Sequence, residues 1–395
     1  MTETLTSAIT LGAPPAVYET LLGQTEAVHQ VQKAVSHRAE GVHHAWLFTG
    51  PPGSGRSNLA LAFAAALLCP DQGCATCSIC SRVLDGQHPD VKMLTTEKVI
   101  IGIDEIRDIV ASSHFGASMG DYRILIIEDA DRMAERSSNV LLKALEEPPA
   151  GTIWLLCAPS EADLLPTIRS RVRRVALKVP SVEDVAQLLV QRDGIELNLA
   201  RQVAAEAQSH VGMAKRLATS VEARGRRRDT LLAALNIRGI SSAVFTSERW
   251  LDLAQKDADA ITAERDQEEK LELRRQLGLS EAEAVPNAYR VEFKNLEENQ
   301  KRRATRSLRD GLDRILVDLL ALYRDVLTVQ LGTGSSLFNE DLAPQIAELA
   351  AECNAADTIK RLDAIEKART RILSNVQNQV ALDALAVQLR RKTSR

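Results

Sequence analysis

Residues 50–57, GPPGSGRS, come close to the phosphate-binding loop pattern G-x-x-x-x-G-K-[ST]. In such a loop, glycines let backbone N–H groups approach the phosphates, a lysine reaches the terminal phosphates and a hydroxyl binds Mg²⁺. The candidate nucleotide-binding residues are Gly50, Pro51, Pro52, Gly53, Ser54, Gly55, Arg56 and Ser57. Arg56 keeps the charge of the missing lysine, but its planar fork is not an equivalent ligand in a tight loop. The segment is interpreted as a degenerate ATP/Mg²⁺ pocket or, alternatively, as a glycine turn without a ligand.

An acidic pair follows a later apolar segment and could complete a nucleotide site. A hydrolysing site places an Asp that holds Mg²⁺ before a Glu that polarises water. Here the order is reversed, with Glu128 before Asp129. Because in-line attack is sensitive to displacements on the order of 1 Å, the reversal predicts impaired hydrolysis. The alternative is that these acids only cap the next helix.

Four cysteines are crowded into one short segment, at Cys69, Cys74, Cys77 and Cys80. Four thiolates can close a tetrahedral zinc shell that leaves no open position for catalysis, so the predicted role is structural. The C-x2-C-x2-C spacing also occurs in iron–sulfur sites, but the further C-P of those sites is missing. Unligated thiols or disulfides are the remaining interpretation.

The segment TIRSRVRR (167–174) carries four arginines, Arg169, Arg171, Arg173 and Arg174. One interpretation is a solvated basic edge of a sheet, and a second is a patch that contacts DNA phosphates. A third is an arginine offered in trans to a nucleotide that a neighbouring subunit holds. Composition alone does not choose among the three.

Short apolar segments must position these residues. We predict strands at 44–50, 123–133, 152–160 and 171–177, with a buried helix at 57–69 after the glycine loop. Further helices are predicted in GIDEIRDIVASSHF and in ERSSNVLLKALEEPP, where two prolines end the helix. Strands that alternate with helices predict an α/β fold, in which a parallel sheet is covered on both faces.

The chain changes character after the predicted sheet. We predict a sheet domain at 1–177, with the four-cysteine insertion at 69–80, a small helical domain at 178–241 and an all-helical domain at 242–395. Within the last domain, residues about 255–306 are much more highly charged than their surroundings. Such a stretch is typical of a solvated or coiled helical face.

Length and charge exclude several classes of protein. The chain has 395 residues, enough for two or three domains, and a formal net charge of −4 at pH 7. This charge argues against a protein that coats nucleic acid by itself. The sequence has neither an apolar run long enough to span a membrane nor the features of a signal peptide. We therefore expect a cytoplasmic protein without a membrane partner.

Several of these segments together resemble the clamp-loader branch of the AAA+ proteins. The likeness spans residues 20 to about 220 closely, and beyond them only the helical character agrees. Besides the glycine loop, the acidic segment and the cysteines, it is carried by LLGQTEAVHQVQKAV (21–35), HPDV (88–91), IGIDEIRDI (101–109), NVLLKALEEPP (139–149) and SRV (170–172). The combination of NVLLKALEEPP with a following SRV is highly specific to clamp loaders.

The resemblance implies an AAA+ P-loop NTPase-like sheet domain, a helical lid and a helical collar that joins subunits into a ring segment. It maps the family's zinc ligands onto the four cysteines and its trans-acting arginine finger onto Arg171. The polar sensor of the family is replaced by Ala158 or Pro159, and its lid arginine aligns best with Gly212, with Lys215 and Arg216 as the alternatives nearby. Together with Arg56 and the reversed acids, these departures imply a subunit that binds nucleotide weakly or not at all and does not hydrolyse it alone.

The implied function is to help load a sliding clamp onto primed DNA, as part of a replicative DNA polymerase holoenzyme. The implied partners are the clamp-loader gamma/tau and delta subunits, the beta sliding clamp and, through the assembled complex, primed DNA. Two alternatives stay open: an active AAA+ ATPase with its own hydrolysis, and a zinc-containing DNA-binding module.

Overall fold

The structure is a computed structural model that describes residues 14–96, 98–280, 284–374 and 376–391. The start of the predicted sheet domain, part of the charged segment and the end of the last domain therefore lie outside the described residues. The chain forms two compact units, residues 1–194 with 209–211 and residues 195–208 with 212–395. The division into three domains stays a prediction.

The first unit contains a five-stranded parallel sheet with the strand order β2-β3-β4-β1-β5. The strands are β1 (Ala45–Thr49), β2 (Val91–Leu94), β3 (Arg123–Ile127), β4 (Thr152–Ala158) and β5 (Arg173–Ala176). Four of them lie inside the segments predicted as strands, whereas β2 is missing from the prediction. The predicted α/β fold class, a parallel sheet domain followed by helices, is confirmed.

Helices connect the strands of this sheet. They are α1 (Thr25–Ser36), α2 (Arg56–Leu68), α3 (Ser78–Leu84), α4 (Ile103–Ser113), α5 (Glu135–Glu146), α6 (Pro166–Arg169) and α7 (Val182–Asp193). The predicted helix after the glycine loop is α2, and the two predicted intervening helices are α4 and α5. As expected, α5 ends just before Pro148.

The sheet is covered on both faces because alternate residues of a strand point to opposite sides. Trp46 and Phe48 of β1 belong to a core cluster with Phe63 of α2. Leu47 of β1 belongs to a second cluster, which includes Leu141 of α5. All residues of β1 and β4, in the middle of the sheet, are buried. This sandwich fixes the carboxyl edge of the sheet, where the glycine loop follows β1 and Glu128 follows β3.

The second unit contains helices and no strand among its described residues. Its helices are α8 (Leu197–Glu206), α9 (Val211–Thr219), α10 (Val221–Leu235), α11 (Ile240–Gln276), α12 (Arg290–Leu331), α13 (Ala343–Glu352), α14 (Ala355–Leu373) and α15 (Asn378–Leu389). Trp250 of α11, Leu316 of α12 and Leu382 of α15 meet in one hydrophobic core. None of the described helices combines the length and the apolar content that crossing a membrane requires.

The charged segment forms the far portions of the two long helices α11 and α12, which pack against each other. Arg303 of α12 donates to Asp266 over 2.9 Å and to Glu269 over 2.7 Å, both on α11. The amide of Gln300 donates to the backbone oxygen of Asp266 over 2.9 Å. These polar contacts between α11 and α12 are compatible with the solvated or coiled helical face predicted for this stretch.

Candidate functional site

The glycine loop connects β1 to α2 at the carboxyl edge of the sheet. Gly53 and Gly55 have φ angles of 82° and 94°, a backbone region that favours glycine. A Cβ atom at position 53 would lie 2.4 Å from the ring of His210, so only glycine fits there. α2 begins at Arg56, and the N–H groups of its first turn form the positive end of the helix. The loop thus keeps the backbone geometry of an anion cradle.

The side chain of Arg56 lies near the carboxylate of Asp129. Its Nη2 lies 3.9 Å from Oδ1 of Asp129, and only 11% of its side chain is exposed. Its Nη1 is buried without a hydrogen-bond partner among the described residues, as is the hydroxyl oxygen of Ser54. The positive charge that replaces the loop lysine is therefore drawn toward a carboxylate of the same pocket.

The two reversed acids have different partners. The Thr95 hydroxyl donates to Glu128 over 3.0 Å. Asp129 has a left-handed backbone with φ 48°, and its Oδ2 lies 3.5 Å from Nε of Arg132. Its side chain makes no capping hydrogen bond to the turn that follows. The structure brings Arg56 and Asp129 together and ties Glu128 to the end of β2.

Three further residues of this pocket are missing from the sequence prediction: Thr95, Asp131 and His210. Burial, followed by the charge of Asp129, raises the pKa of Asp131, whose Oδ1 has no partner among the described residues. These residues lie far from the glycine loop in the sequence, so no short motif connects them with it. Only HPDV (88–91) precedes the strand that Thr95 follows.

The four predicted zinc ligands converge. Their sulfur atoms all lie within 4.8 Å of one another, and Sγ of Cys69 is 3.7 Å from those of Cys74 and Cys77. Four sulfurs at about 2.3 Å from a zinc ion would be about 3.8 Å apart in a tetrahedron. The donor set and its spacing therefore fit a tetrahedral metal ion, and all six cysteines of the chain are free of disulfides.

The backbone around the cysteines supports this arrangement. Cys69 ends α2, and Cys77 precedes α3, where its sulfur accepts a hydrogen bond from the Cys80 N–H over 3.4 Å. Hydrogen bonds, led by that with the Thr76 side chain, lower the pKa of Cys74 to about 6. Burial raises the pKa of the Cys80 thiol. The cluster joins two helices and leaves two of its thiols half-buried.

Arg171 lies between α6 and β5, at the surface of the first unit. Its Nη2 is 2.5 Å from Oε1 of Glu146, at the end of α5. Its Nη1 donates to the backbone oxygen of Thr167 over 2.7 Å and to Ser170 over 3.0 Å. With 34% of its side chain exposed, the guanidinium is held in place and yet accessible.

Two other arginines of the basic segment are also engaged within the unit. Arg174 forms an ion pair with Glu161 at 2.8 Å. The guanidinium of Arg173 lies 4.9 Å from the ring centroid of Trp46. Glu161 offsets the charge of Arg174, whereas the uncharged ring of Trp46 contacts Arg173 without neutralising it.

Comparisons with known proteins find similar subunits of DNA polymerase III. A family profile described as "DNA polymerase III, delta subunit" matches residues 23–181. The delta-prime subunit of DNA polymerase III from Pseudomonas aeruginosa is 37% identical over 143 residues, which cover 35% of this chain and 44% of the relative. The chain thus spans less than half the length of that relative.

A second match extends further along the chain. The delta-prime subunit from Bacillus subtilis is 24% identical over 351 residues, covering 88% of this chain and 90% of the relative. Among solved structures, a gamma subunit-related protein of DNA polymerase III from Thermotoga maritima matches with a TM-score of 0.40 and 18% identity, over 93% of this chain and 99% of that protein. The profile and the two relatives together show that the chain is similar to delta-prime subunits of DNA polymerase III.

Proposed function

We propose that this chain is a clamp-loader subunit that helps to place a sliding clamp on primed DNA and does not hydrolyse ATP itself. The observation that carries the proposal is the approach of Arg56 to Asp129 inside the glycine-loop pocket. Hydrolysis requires a cation on the terminal phosphates and acids that serve Mg²⁺ and water. Here the guanidinium of Arg56 and the carboxylate of Asp129 lie next to each other.

ATP hydrolysis by the purified chain alone tests this part of the proposal. We expect no turnover above the background, and the same background in Arg56→Ala. A rate typical of AAA+ motors that falls in Arg56→Ala would favour the alternative of an active ATPase.

We propose further that Arg171 acts on a nucleotide held by a neighbouring subunit. Its support is geometric: Glu146 and the backbone oxygen of Thr167 fix the guanidinium at the surface. Such an arginine stabilises the charge that develops in phosphoryl transfer and can be worth on the order of 10³-fold or more at the site it serves.

Reconstitution of the clamp-loader complex tests Arg171. Arg171→Ala should lower DNA-stimulated ATP hydrolysis by the assembled complex while assembly is unchanged. Arg174→Ala is the matched control, since Arg174 is an ion-paired arginine of the same segment and should leave the rate unchanged. Equal rates for wild type and Arg171→Ala would remove the trans-acting role.

We propose a structural zinc ion for the cysteine cluster, in agreement with the sulfur spacing. A zinc ion there would cross-link the end of α2 to the start of α3, and four thiolates would leave it no position for substrate. The protein's own contribution is to gather these sulfurs between two helices.

The proposed partners are clamp-loader gamma/tau and delta subunits, the beta sliding clamp and primed DNA within the assembled complex. The names of the relatives, subunits of DNA polymerase III, support membership of such a complex, and we propose that the chain works in the cytoplasm. Co-purification of the chain with tagged gamma/tau and delta subunits is the test. Recovery of the chain without either subunit would contradict the proposal.

A further inference from the structure

Arg38 lies beside the cysteine cluster without being one of its sulfur ligands. It begins a single 3₁₀ turn, residues 38–40, that follows α1. Its Nη1 donates to the backbone oxygens of Cys69 over 2.8 Å and of Leu67 over 3.4 Å, and its Nη2 donates to that of Pro70 over 3.2 Å. One guanidinium thus holds three carbonyl groups around the first cysteine of the cluster.

Part of this contact is an ordinary helix cap. The last carbonyl groups of a helix have no partners within it, and a cation is favourable at that end. Leu67 belongs to the last turn of α2, whereas Cys69 and Pro70 lie beyond it, in the turn that leads to the next cysteine. The two shorter hydrogen bonds of the guanidinium therefore hold this turn as well as the end of the helix.

The turn after Cys69 has a backbone conformation that needs support. The oxygen of Cys69 also accepts from the N–H of Gln72 over 3.1 Å, and Gln72 has a φ angle of 57°. Residues other than glycine adopt this left-handed region at a cost, and they stay in it only where the surrounding contacts fix them. At the far end of the turn, the N–H of Val17 donates to the oxygen of Gly73 over 3.3 Å. Arg38 supplies the contacts at the near end.

Cys69 is the ligand whose position depends most on this turn. The other three cysteines lie within residues 74–80, close together along the chain. Cys69 follows a different helix, α2, and yet its Sγ lies 3.7 Å from those of Cys74 and Cys77. A change in the direction of the turn would move this sulfur out of the tetrahedral set that a zinc ion requires.

We propose that Arg38 is a positioning residue of the metal site, which holds the turn after Cys69 so that its sulfur meets the other three. The inference rests on the structural zinc ion proposed above. Contacts that orient metal ligands from outside contribute about 10–100-fold to metal affinity. Because Arg38 acts on one ligand through its backbone, we expect a contribution of about tenfold, at the lower end of this range.

The zinc affinity of the full chain, measured by competition with a chromophoric chelator, tests this role. Arg38→Met, which removes the donors and keeps an apolar stem, should bind zinc about tenfold more weakly than wild type. Lys33→Met is the matched control, because it removes an equal charge at an exposed position of α1 and should bind zinc as wild type does. Equal affinities of wild type and Arg38→Met would overturn the inference, as would an equal loss in Lys33→Met.

Double variants show whether Arg38 acts through Cys69. In a Cys69→Ala background, the further change Arg38→Met should no longer weaken zinc binding. In a Cys80→Ala background, which removes the other fully buried sulfur of the cluster, it should still weaken binding by about tenfold. An equal loss in both backgrounds would contradict a role that depends on Cys69.

Thermal unfolding separates positioning from capping. Positioning predicts that Arg38→Met lowers the melting temperature more in zinc than in an excess of chelator, because weaker binding stabilises the folded state less. A residue that only caps α2 would lower both melting temperatures equally and leave the zinc affinity unchanged, and this result would overturn the inference.

Two further outcomes are distinguishable. If Arg38→Met does not fold, as judged by circular dichroism, Arg38→Lys takes its place; it should also bind zinc more weakly than wild type, because an ammonium lacks the planar fork. Wild-type affinity in Arg38→Lys would then overturn the role of the guanidinium. A wild-type chain that binds no zinc would overturn the zinc ion and the role of Arg38 together, whereas equal binding by wild type and the Arg38 variant overturns the role alone.

Discussion

Asp129 has an arginine near each of its carboxylate oxygens, Arg56 at 3.9 Å and Arg132 at 3.5 Å. A lysine at position 56 would restore the consensus of the glycine loop. It would leave Arg132 beside Asp129, and the order of Glu128 and Asp129 would still be reversed. The negative charge of Asp129 is thus balanced by two arginines, so a change at position 56 alone does not restore the pocket.

We therefore expect Arg56→Lys alone to gain no ATP hydrolysis, as measured by phosphate release from the purified chain. The comparison variant combines Arg56→Lys with Glu128→Asp and Asp129→Glu, which restores both the lysine and the order of the acids. Turnover on the order of 1 s⁻¹ by the single variant would contradict this reading of the pocket.

Asp90 is a fully buried carboxylate that anchors the loop after α4. The N–H groups of Ser118, Met119 and Gly120 donate to it over 2.6, 2.7 and 3.0 Å, and the Ser118 hydroxyl over 2.7 Å. Burial alone would raise its pKa, but these hydrogen bonds outweigh burial and hold the pKa below its usual value. The contribution of Asp90 to stability is therefore complete above its unfolded pKa of about 3.9 and is lost as the pH falls through the folded value.

Asp90→Asn should reduce the free energy of unfolding by about 2–4 kcal/mol at pH 7, because its amide group faces N–H donors. The difference from wild type should shrink in acid, and urea unfolding at pH 7 and below pH 4 measures both values. Asp121→Asn is the control, an exposed acid of the same loop, and should cost less than about 0.5 kcal/mol. A penalty for Asp90→Asn that does not change with pH would contradict the anchoring charge.

The sequence predicts which residues form these sites better than it predicts which residues contact each other. The glycine loop and the cysteine cluster each lie within one short segment, so their spacing is visible in the sequence. The carboxylate of Asp90 meets partners 28–30 residues away, and Arg56 meets Asp129 across the sheet edge. Such contacts depend on how the strands are ordered, which a single sequence does not show.

At the scale of elements, the cysteine cluster is a short connection between two helices whose geometry depends on four sulfurs. We expect the purified protein to contain about one equivalent of zinc, and Cys77→Ser to lose the metal and melt at a lower temperature. Metal analysis and thermal unfolding measure the two effects. Cys353→Ser, in the other unit, should keep the zinc. Iron in place of zinc would overturn the identity of the ion.

The long helices α11 and α12 are predicted to tolerate shortening. The hydrophobic core of the second unit includes Ala254 of α11, and Leu308 of α12 packs against it, but it includes no described residue between these two. Replacing residues 263–303 by a short glycine-containing turn removes Arg303 together with its acidic partners. We expect the melting temperature to change by less than about 4 °C, a shift of roughly 1 kcal/mol. Loss of cooperative unfolding would contradict this expectation.

Strand β2 is the strand that the sequence does not predict. The predicted strands contain apolar runs, and β1 and β4 are completely buried. β2 has four residues at the edge of the sheet, with none fully buried and Lys92 exposed. A short edge strand needs no long apolar run, so the sequence of β2 lacks the signal that identifies the central strands. The opposite edge strand, β5, has one buried residue, Val175, and lies within a longer segment, 171–177, that is predicted as a strand.

For the whole molecule, the formal charge of −4 limits what the isolated chain can bind. We expect the chain alone to bind primed DNA no more tightly than about 10⁻⁶ M at physiological salt, the range of non-specific contacts. Fluorescence anisotropy with labelled DNA at two salt concentrations measures this. Tight, strongly salt-dependent binding that is lost in Arg173→Ala with Arg174→Ala would favour the DNA-binding module instead.

The pairing of α11 with α12 also bears on how such chains diverge. Because the described residues between Ala254 and Leu308 add no member to the hydrophobic core of the second unit, whole turns can be gained or lost there without redesign of the bundle. The gains and losses should be matched on both helices, in steps of about seven residues, which is close to two turns. Homologous chains should therefore differ in length at this place while their bundle keeps its composition.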